Sequence, residues 1–211
     1  MNELHSLDDR LLLDVNTFAR DTGWLHGAVA AYANYGIVLF ALLLLAGLVV
    51  ARRGSSRTLA AAGWAPIAML VAVGLNQPIG SAVAEARPYA THAHLLVLAH
   101  RTADFSFPSD HAVMAGAAAT GLLLVSRKLG AVAWVAALVM AFARVYIAAH
   151  YPWDVVAGLL LGAAVALGGW ALLRRPLIAL TRWLRALPVL QSAFSAAVDT
   201  PWSNDRVRMA R

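Results

Sequence analysis

The sequence predicts an all-α protein, a polytopic transmembrane helix bundle of five to six spans with an N-terminal interfacial helix. Three observations carry that expectation. Of 211 residues, 61% are apolar and only 13% charged, about half the charge of an ordinary soluble domain, so neither a water-soluble globule nor a disordered chain can be built from it. Mean hydropathy is +0.67. Third, the charged residues fall in clusters that separate long apolar runs. A spanning helix needs about 20 apolar residues, about 17 at the least, and residues 35–51, 58–80, 111–125, 131–149 and 155–173 supply five candidates. The third is short and is extended through Phe105-Ser106-Phe107 as an interfacial lead-in.

Residues 11–34 are interrupted by Asp14, Arg20 and Asp21. They read as an amphipathic helix lying in the interface, with a sixth crossing as the alternative. Glu3, Asp8, Asp9 and Asp14 precede any long apolar run, so a cleaved signal peptide is not expected. The whole of 1–211 reads as one membrane-embedded domain, with its chemistry-bearing core at 76–154 and an amphipathic tail at 174–211.

The net charge of +6 comes from sixteen Arg and one Lys against eleven acids. In a membrane chain such an excess sets orientation rather than nucleic-acid binding. Arg52, Arg53 and Arg57 follow the first span, Arg127 and Lys128 the third, and Arg174, Arg175, Arg182 and Arg185 the fifth. By the positive-inside rule these places are cytoplasmic, which leaves residues 81–109 and 150–154 outside. The tail mixes Leu180, Trp183, Leu184 and Leu187 with Arg182 and Arg185, suiting anionic headgroups. Gly158 and Gly162, and Ala117 and Gly121, have the small-xxx-small spacing of close helix packing. Trp134, Trp153 and Trp170 sit near span ends, as in an aromatic belt. There is no cysteine, so thiol chemistry and disulfides are excluded.

Arg87, Asp110, His111, Arg144, His150 and Asp154 remain at or just inside the outer span ends. Ionisable groups at membrane depth cost at least ~2.5 kcal/mol each near the bilayer centre and persist where they pair or serve a site. A purely structural set of ion pairs closing the bundle is one reading. The chemistry favours a site. Two converging arginines suit a phosphate oxyanion. Ser109 stands as an N-cap before an apolar helix, whose free N–H groups make an anion site. Asp154, four residues after His150, can accept from one imidazole nitrogen and leave the other free as a nucleophile. His111 is then available as general acid. Positive charge from arginines and helix termini requires no metal and no cofactor.

Arg87-Pro88, Pro108-Ser109-Asp110-His111 and Arg144-(five residues)-His150-(three residues)-Asp154 resemble the three motifs of the type 2 phosphatidic acid phosphatase superfamily. The resemblance covers residues 76–154. It implies that Arg87, Ser109 and Arg144 bind phosphate, His150 forms a phosphohistidine, Asp154 orients it and His111 protonates the leaving group. Gly80 stands where the family carries a Lys, Ala143 replaces a Ser, and Asp110 replaces a Gly. Pro-Ser-Asp-His together with Asn76-Gln77-Pro78-Ile79-Gly80 is similar to the undecaprenyl-diphosphate phosphatases linked to bacitracin resistance. That implies a bacterial plasma-membrane enzyme recycling a polyprenyl diphosphate on the outer face. A glycerophospholipid phosphatase is the alternative, and a transporter using Arg144, His150 and Asp154 as an ion relay is the reading from another class. Asp110 is either a second acid–base group or a structural acceptor for its helix N-terminus. Glu85 is read as a salt-bridge partner of Arg87 rather than a proton carrier. His92, His94 and His100 are read as solvated loop histidines rather than metal ligands, and Arg101 as a loop charge.

Overall fold

The computed structural model describes residues 2–187. Its helices are α1 (Asn2–Asp21), α2 (His26–Tyr35), α3 (Ile37–Ala51), α4 (Ser56–Val83), the short α5 (Pro88–Thr91), α6 (Asp110–Val125), α7 (Arg127–Tyr146) and α8 (Pro152–Ala186), with one 3₁₀ turn at Gly23–Leu25. The five expected apolar stretches fall on helices, except that the first is broken at Gly36 and the fourth leaves the helix after Tyr146, three residues before its expected end at Ala149. The helices that begin at Ser56, Arg127 and Pro152 are long and apolar enough to cross a membrane, and α2 and α3 combine, across a 55° bend, into a fourth such unit. This is a multi-pass helical membrane protein. Its exposed side chains on α3, α4, α7 and α8 include Leu42, Leu70, Val135 and Leu160, an apolar shell suited to lipid.

α6 is the central helix. Its sixteen residues reach about 24 Å, short of a ~30 Å hydrocarbon layer, but its neighbours enclose it. Ten of its residues, Ala112 to Leu122 with one exception, are buried. Small side chains let the backbones meet. A Cβ on Gly116 would stand 2.4 Å from Leu159 O, and one on Gly162 2.1 Å from Val113 O. A Cβ on Gly121 would stand 2.6 Å from Ala65 Cβ and 2.9 Å from its Cα. The small-xxx-small residues therefore pack as expected, and dispersion between touching backbones holds α6 to α4 and α8.

Four expectations need correcting. Residues 11–34 do not form one helix. The chain breaks at Thr22–Leu25, after which α2 joins α3, whereas α1 packs against the segment between α5 and α6: the Asn16 side chain donates to Leu96 O (2.8 Å) and accepts from Leu96 N (3.0 Å). Phe105-Ser106-Phe107 is not a helical lead-in; α6 starts at Asp110, after Pro108. The helix that carries the last apolar stretch does not end at Leu173. α8 runs through Pro176 to Ala186 because Leu177 and Ile178 pack against the Trp64–Trp170 cluster and Arg185 Nη2 donates to Arg52 O (3.2 Å). The tail expected beyond residue 187 lies outside the described residues. Trp170 belongs to that same buried cluster and is not a belt residue.

The contact between Arg185 and Arg52 shows that the basic ends of α3 and α8 lie together. The loops 84–109 and 147–151 and the N-termini of α6 and α8 meet at the other end.

Candidate active site

α4 stops where Ala84 takes a left-handed conformation (φ 53°) and its N–H caps Gly80 O. Arg87 follows as N-cap of α5, with Pro88 in the first turn, where a missing N–H costs nothing. Its guanidinium is buried and held at all three nitrogens. Nε and Nη2 grip Asp104 Oδ1 (3.0 Å) and Oδ2 (2.9 Å), and Nη1 donates to Ala149 O (2.9 Å) and points at His150 Nε2 (3.2 Å). Burial acts upward on the Asp104 carboxyl, but hydrogen bonds from Thr102 and Arg87 outweigh it and hold it below the usual carboxylate range.

Arg144 occupies the last turn of α7. Its Nη1 donates to Ala33 O (3.2 Å) and its Nη2 points at the same His150 Nε2 (3.3 Å). The connection to α8 reverses at Ala148, also left-handed (φ 59°), and is pinned by the N–H groups of Leu98 and Ala99 on Ile147 O. His150 is thereby folded back under Arg144. Its Nδ1 faces Ser106 O at 2.8 Å and Asp154 Oδ2 at 3.5 Å. Two acceptors on that side place the ring proton on Nδ1, so the Nε2 lone pair faces both guanidinium groups. Burial, then the charges of Arg144 and Arg87, push the imidazole below its ordinary value against the opposing pull of Asp154. A neutral ring with its lone pair aimed into a cationic pocket is a nucleophile's state.

Asp154 sits in the first turn of α8, completely buried. Its Oδ2 accepts from Ser106 Oγ (2.5 Å) and Tyr151 N (2.9 Å). Ser106, expected only as lead-in, is therefore central: its carbonyl orients His150 and its hydroxyl fixes Asp154.

Arg87, Arg144, His150, His111 and Asp110 line one cavity of about 310 Å³, walled on its apolar side by Phe105 and Met114. The sequence-derived residues converge, with two exceptions. Asp154 stands behind His150 rather than in the cavity lining. Ser109 is wholly buried, its Oγ has no hydrogen-bond partner among the described residues, and it makes no side-chain cap; its N–H instead donates to Asp154 O (3.2 Å). Asp110 does not bond its own helix terminus either. It accepts from Asn76 Nδ2 (2.7 Å) and Gln77 Nε2 (3.1 Å), which tie α6 to α4. A Cβ at Gly80 would already lie 3.1 Å from Phe107 O.

The Glu85–Arg87 pair is not formed, because Asp104 takes the guanidinium. His92 is not simply solvated: its Nε2 lies 3.5 Å from Asp9 Oδ1 of α1. Arg101 stacks 5.5 Å from the Tyr89 ring centroid. Among the described residues no three His, Asp or Glu side chains are grouped as a metal would need. Sequence reasoning missed Asp104 and Ser106. The only local signal was a lone serine between two phenylalanines just before Pro108.

The sequence profile of the PAP2 superfamily matches residues 61–177. The chain is 34% identical over 132 residues to the undecaprenyl-diphosphatase BcrC of Bacillus subtilis, covering 63% of this chain and 66% of that one. To the bacitracin transport permease protein BcrC of Bacillus licheniformis it is 32% identical over 72% of this chain and 74% of the relative. So the chain spans about two thirds to three quarters of the length of these two relatives. Its fold is similar to that of a crystal structure described as the first transmembrane PAP2-type phosphatidylglycerolphosphate phosphatase from Bacillus subtilis, with TM-score 0.63, 19% identity and 83% and 88% of the two chains covered. The matched segment runs through every helix that carries the Arg87, His111, Arg144, His150 and Asp154 constellation, and the chain belongs to the PAP2 superfamily.

Proposed function

We propose that the protein is an integral-membrane phosphatase that hydrolyses the terminal phosphate of a polyprenyl diphosphate through a phosphohistidine at His150, recycling a lipid carrier for cell-wall synthesis. The observation that carries this reading is the meeting of two guanidinium groups on one imidazole nitrogen, Arg87 at 3.2 Å and Arg144 at 3.3 Å. A phosphoryl group entering there has donors on both sides and a lone pair in line. Nε2 bonds to the terminal phosphorus as the bond from phosphorus to the bridging oxygen breaks. His111 gives its proton to that oxygen, and the polyprenyl phosphate leaves. Water then attacks the phosphohistidine, with His111 as base, and inorganic phosphate departs. Arg87 and Arg144 hold the charge of the transferring group throughout, which is the main catalytic contribution in phosphoryl transfer. Ser109 is a further phosphate contact in this reading, its unpartnered hydroxyl being the available donor.

The site lies at the end of the bundle opposite the basic ends of α3 and α8. With the positive-inside rule, this supports a site on the outer face of a bacterial plasma membrane. A name given to one relative includes transport. A relay for ions, however, wants charges near mid-span, and the charged residues here stand at helix ends. The test is phosphate release by the purified protein in detergent micelles, offered a polyprenyl diphosphate, phosphatidate and phosphatidylglycerophosphate in parallel. Preferential release from the polyprenyl diphosphate is expected; preference for a glycerophospholipid overturns the substrate, and no release from any overturns the reaction.

A further inference from the structure

Asp154 leaves one oxygen without a donor. Its carboxylate is completely buried, and Oδ2 alone receives Ser106 Oγ and Tyr151 N; among the described residues nothing donates to Oδ1. An acceptor unpaired at that depth costs roughly 1–3 kcal/mol, more if charged. The Glu85 side chain, half-buried in the loop after α4, is the acid within interaction reach of Asp154. Two carboxylates cannot hydrogen-bond each other, whereas a carboxylic acid and a carboxylate can, through one proton, and contact between like charges favours that state.

The surroundings act in the same sense. Asp8 and Asp9 of α1 present negative charge to Glu85, and the Tyr151 phenol faces it from the foot of α8. Arg87, two residues along, is turned to Asp104. Asp9 lies against His92, and Asp8 Oδ1 accepts from Trp153 N. The backbone fixes Glu85 as well: its carbonyl accepts from Ser106 N (2.9 Å), the residue whose hydroxyl bonds Asp154 and whose carbonyl orients His150. Glu85, Ser106, Asp154 and His150 form one connected network.

We propose that Glu85 keeps a proton shared with Asp154 Oδ1 and is a positioning residue behind His150. This rests on the reading of His150 as nucleophile. The shared proton satisfies Oδ1 and holds Oδ2 toward the imidazole, and the pair carries a single negative charge. When Nε2 bonds to phosphorus, the Nδ1 proton stays and the ring becomes cationic; that single charge stabilises it, and the Glu85 proton does not leave. At alkaline pH loss of the shared proton brings two carboxylates into contact and drives Asp154 off its seat.

The test uses the full chain in detergent micelles with a polyprenyl diphosphate as substrate. Glu85→Ala, without a donor, should lower kcat about 10–100-fold with KM little changed. Glu85→Gln, whose amide donates but does not titrate, should restore most of that loss and lack the alkaline decline of the parent. Infrared spectra recorded without substrate should show a protonated-carboxyl carbonyl band that fades as pH rises and is absent from Glu85→Gln. Parent-like kcat and pH profile in Glu85→Ala, or a protonated-carboxyl band unchanged by Glu85→Gln, overturns the proposal. A parent protein that releases no phosphate overturns the phosphatase reading, while the infrared band still decides the role of Glu85, as it does if Glu85→Ala fails to fold.

Discussion

Adding one methyl group at Gly162 should separate the two helices that carry His111 and Asp154. A Cβ there would lie 2.1 Å from Val113 O and 2.6 Å from Ala117 N, both backbone atoms of α6, where ordinary contact begins at 3.4 Å. Neither neighbour is a flexible side-chain tip, so α8 must move away from α6 by more than 1 Å. Overpacking of this kind costs about 1–3 kcal/mol. The displacement begins eight residues from Asp154, about 12 Å along the helix, and a misplacement of 1 Å at a reacting group costs on the order of 10²-fold in rate. Gly168 on the same helix is the matched control, because a Cβ there meets nothing within 4 Å. Gly162→Ala should lower the unfolding temperature in detergent micelles and depress phosphate release by that order, whereas Gly168→Ala should leave both unchanged or raise stability slightly. A Gly162→Ala protein as stable and as active as the parent would refute the claim that backbone contact between α6 and α8 sets the site.

The histidines should separate by leaving group. His150→Ala should abolish turnover and the trappable phosphoenzyme, whereas His111→Ala should lose roughly 10²–10⁴-fold on a polyprenyl diphosphate and recover partly on p-nitrophenyl phosphate, whose leaving group needs no proton. Turnover should persist in EDTA, since Arg87 and Arg144 supply the positive charge, and vanadate should inhibit; restoration by magnesium or zinc after chelation would contradict this. Asp104 should confer acid sensitivity on the loop between α5 and α6. Its carboxyl is held below the usual range, so its pairing with Arg87 contributes stability above the usual carboxylate value and loses it as pH falls through the depressed one. Asp104→Asn should flatten the acid limb of unfolding temperature against pH.

The sequence by itself determined the class of the molecule. Apolar run length and the placement of arginines are one-dimensional properties, and a bilayer converts them directly into helices and ends. It also singled out Arg87, His111, Arg144, His150 and Asp154, by their place at span ends and their resemblance to known motifs, and for His150 and Asp154 a four-residue spacing at a helix terminus sets the geometry locally. What only the tertiary structure decided was the set of partners. Asp104 takes Arg87 across 17 residues, Ser106 orients His150 across 44, Asp8 meets Trp153 across 145 and Arg185 reaches Arg52 across 133. Several acids and serines along the chain could have filled those places, and neither hydropathy nor spacing distinguishes among them. The choice is made when α6 seats between α4 and α8. Burying Arg87 and Asp154 at that junction obliges whichever donors and acceptors the loops can deliver to satisfy them, and loop reach in three dimensions is not written in local sequence.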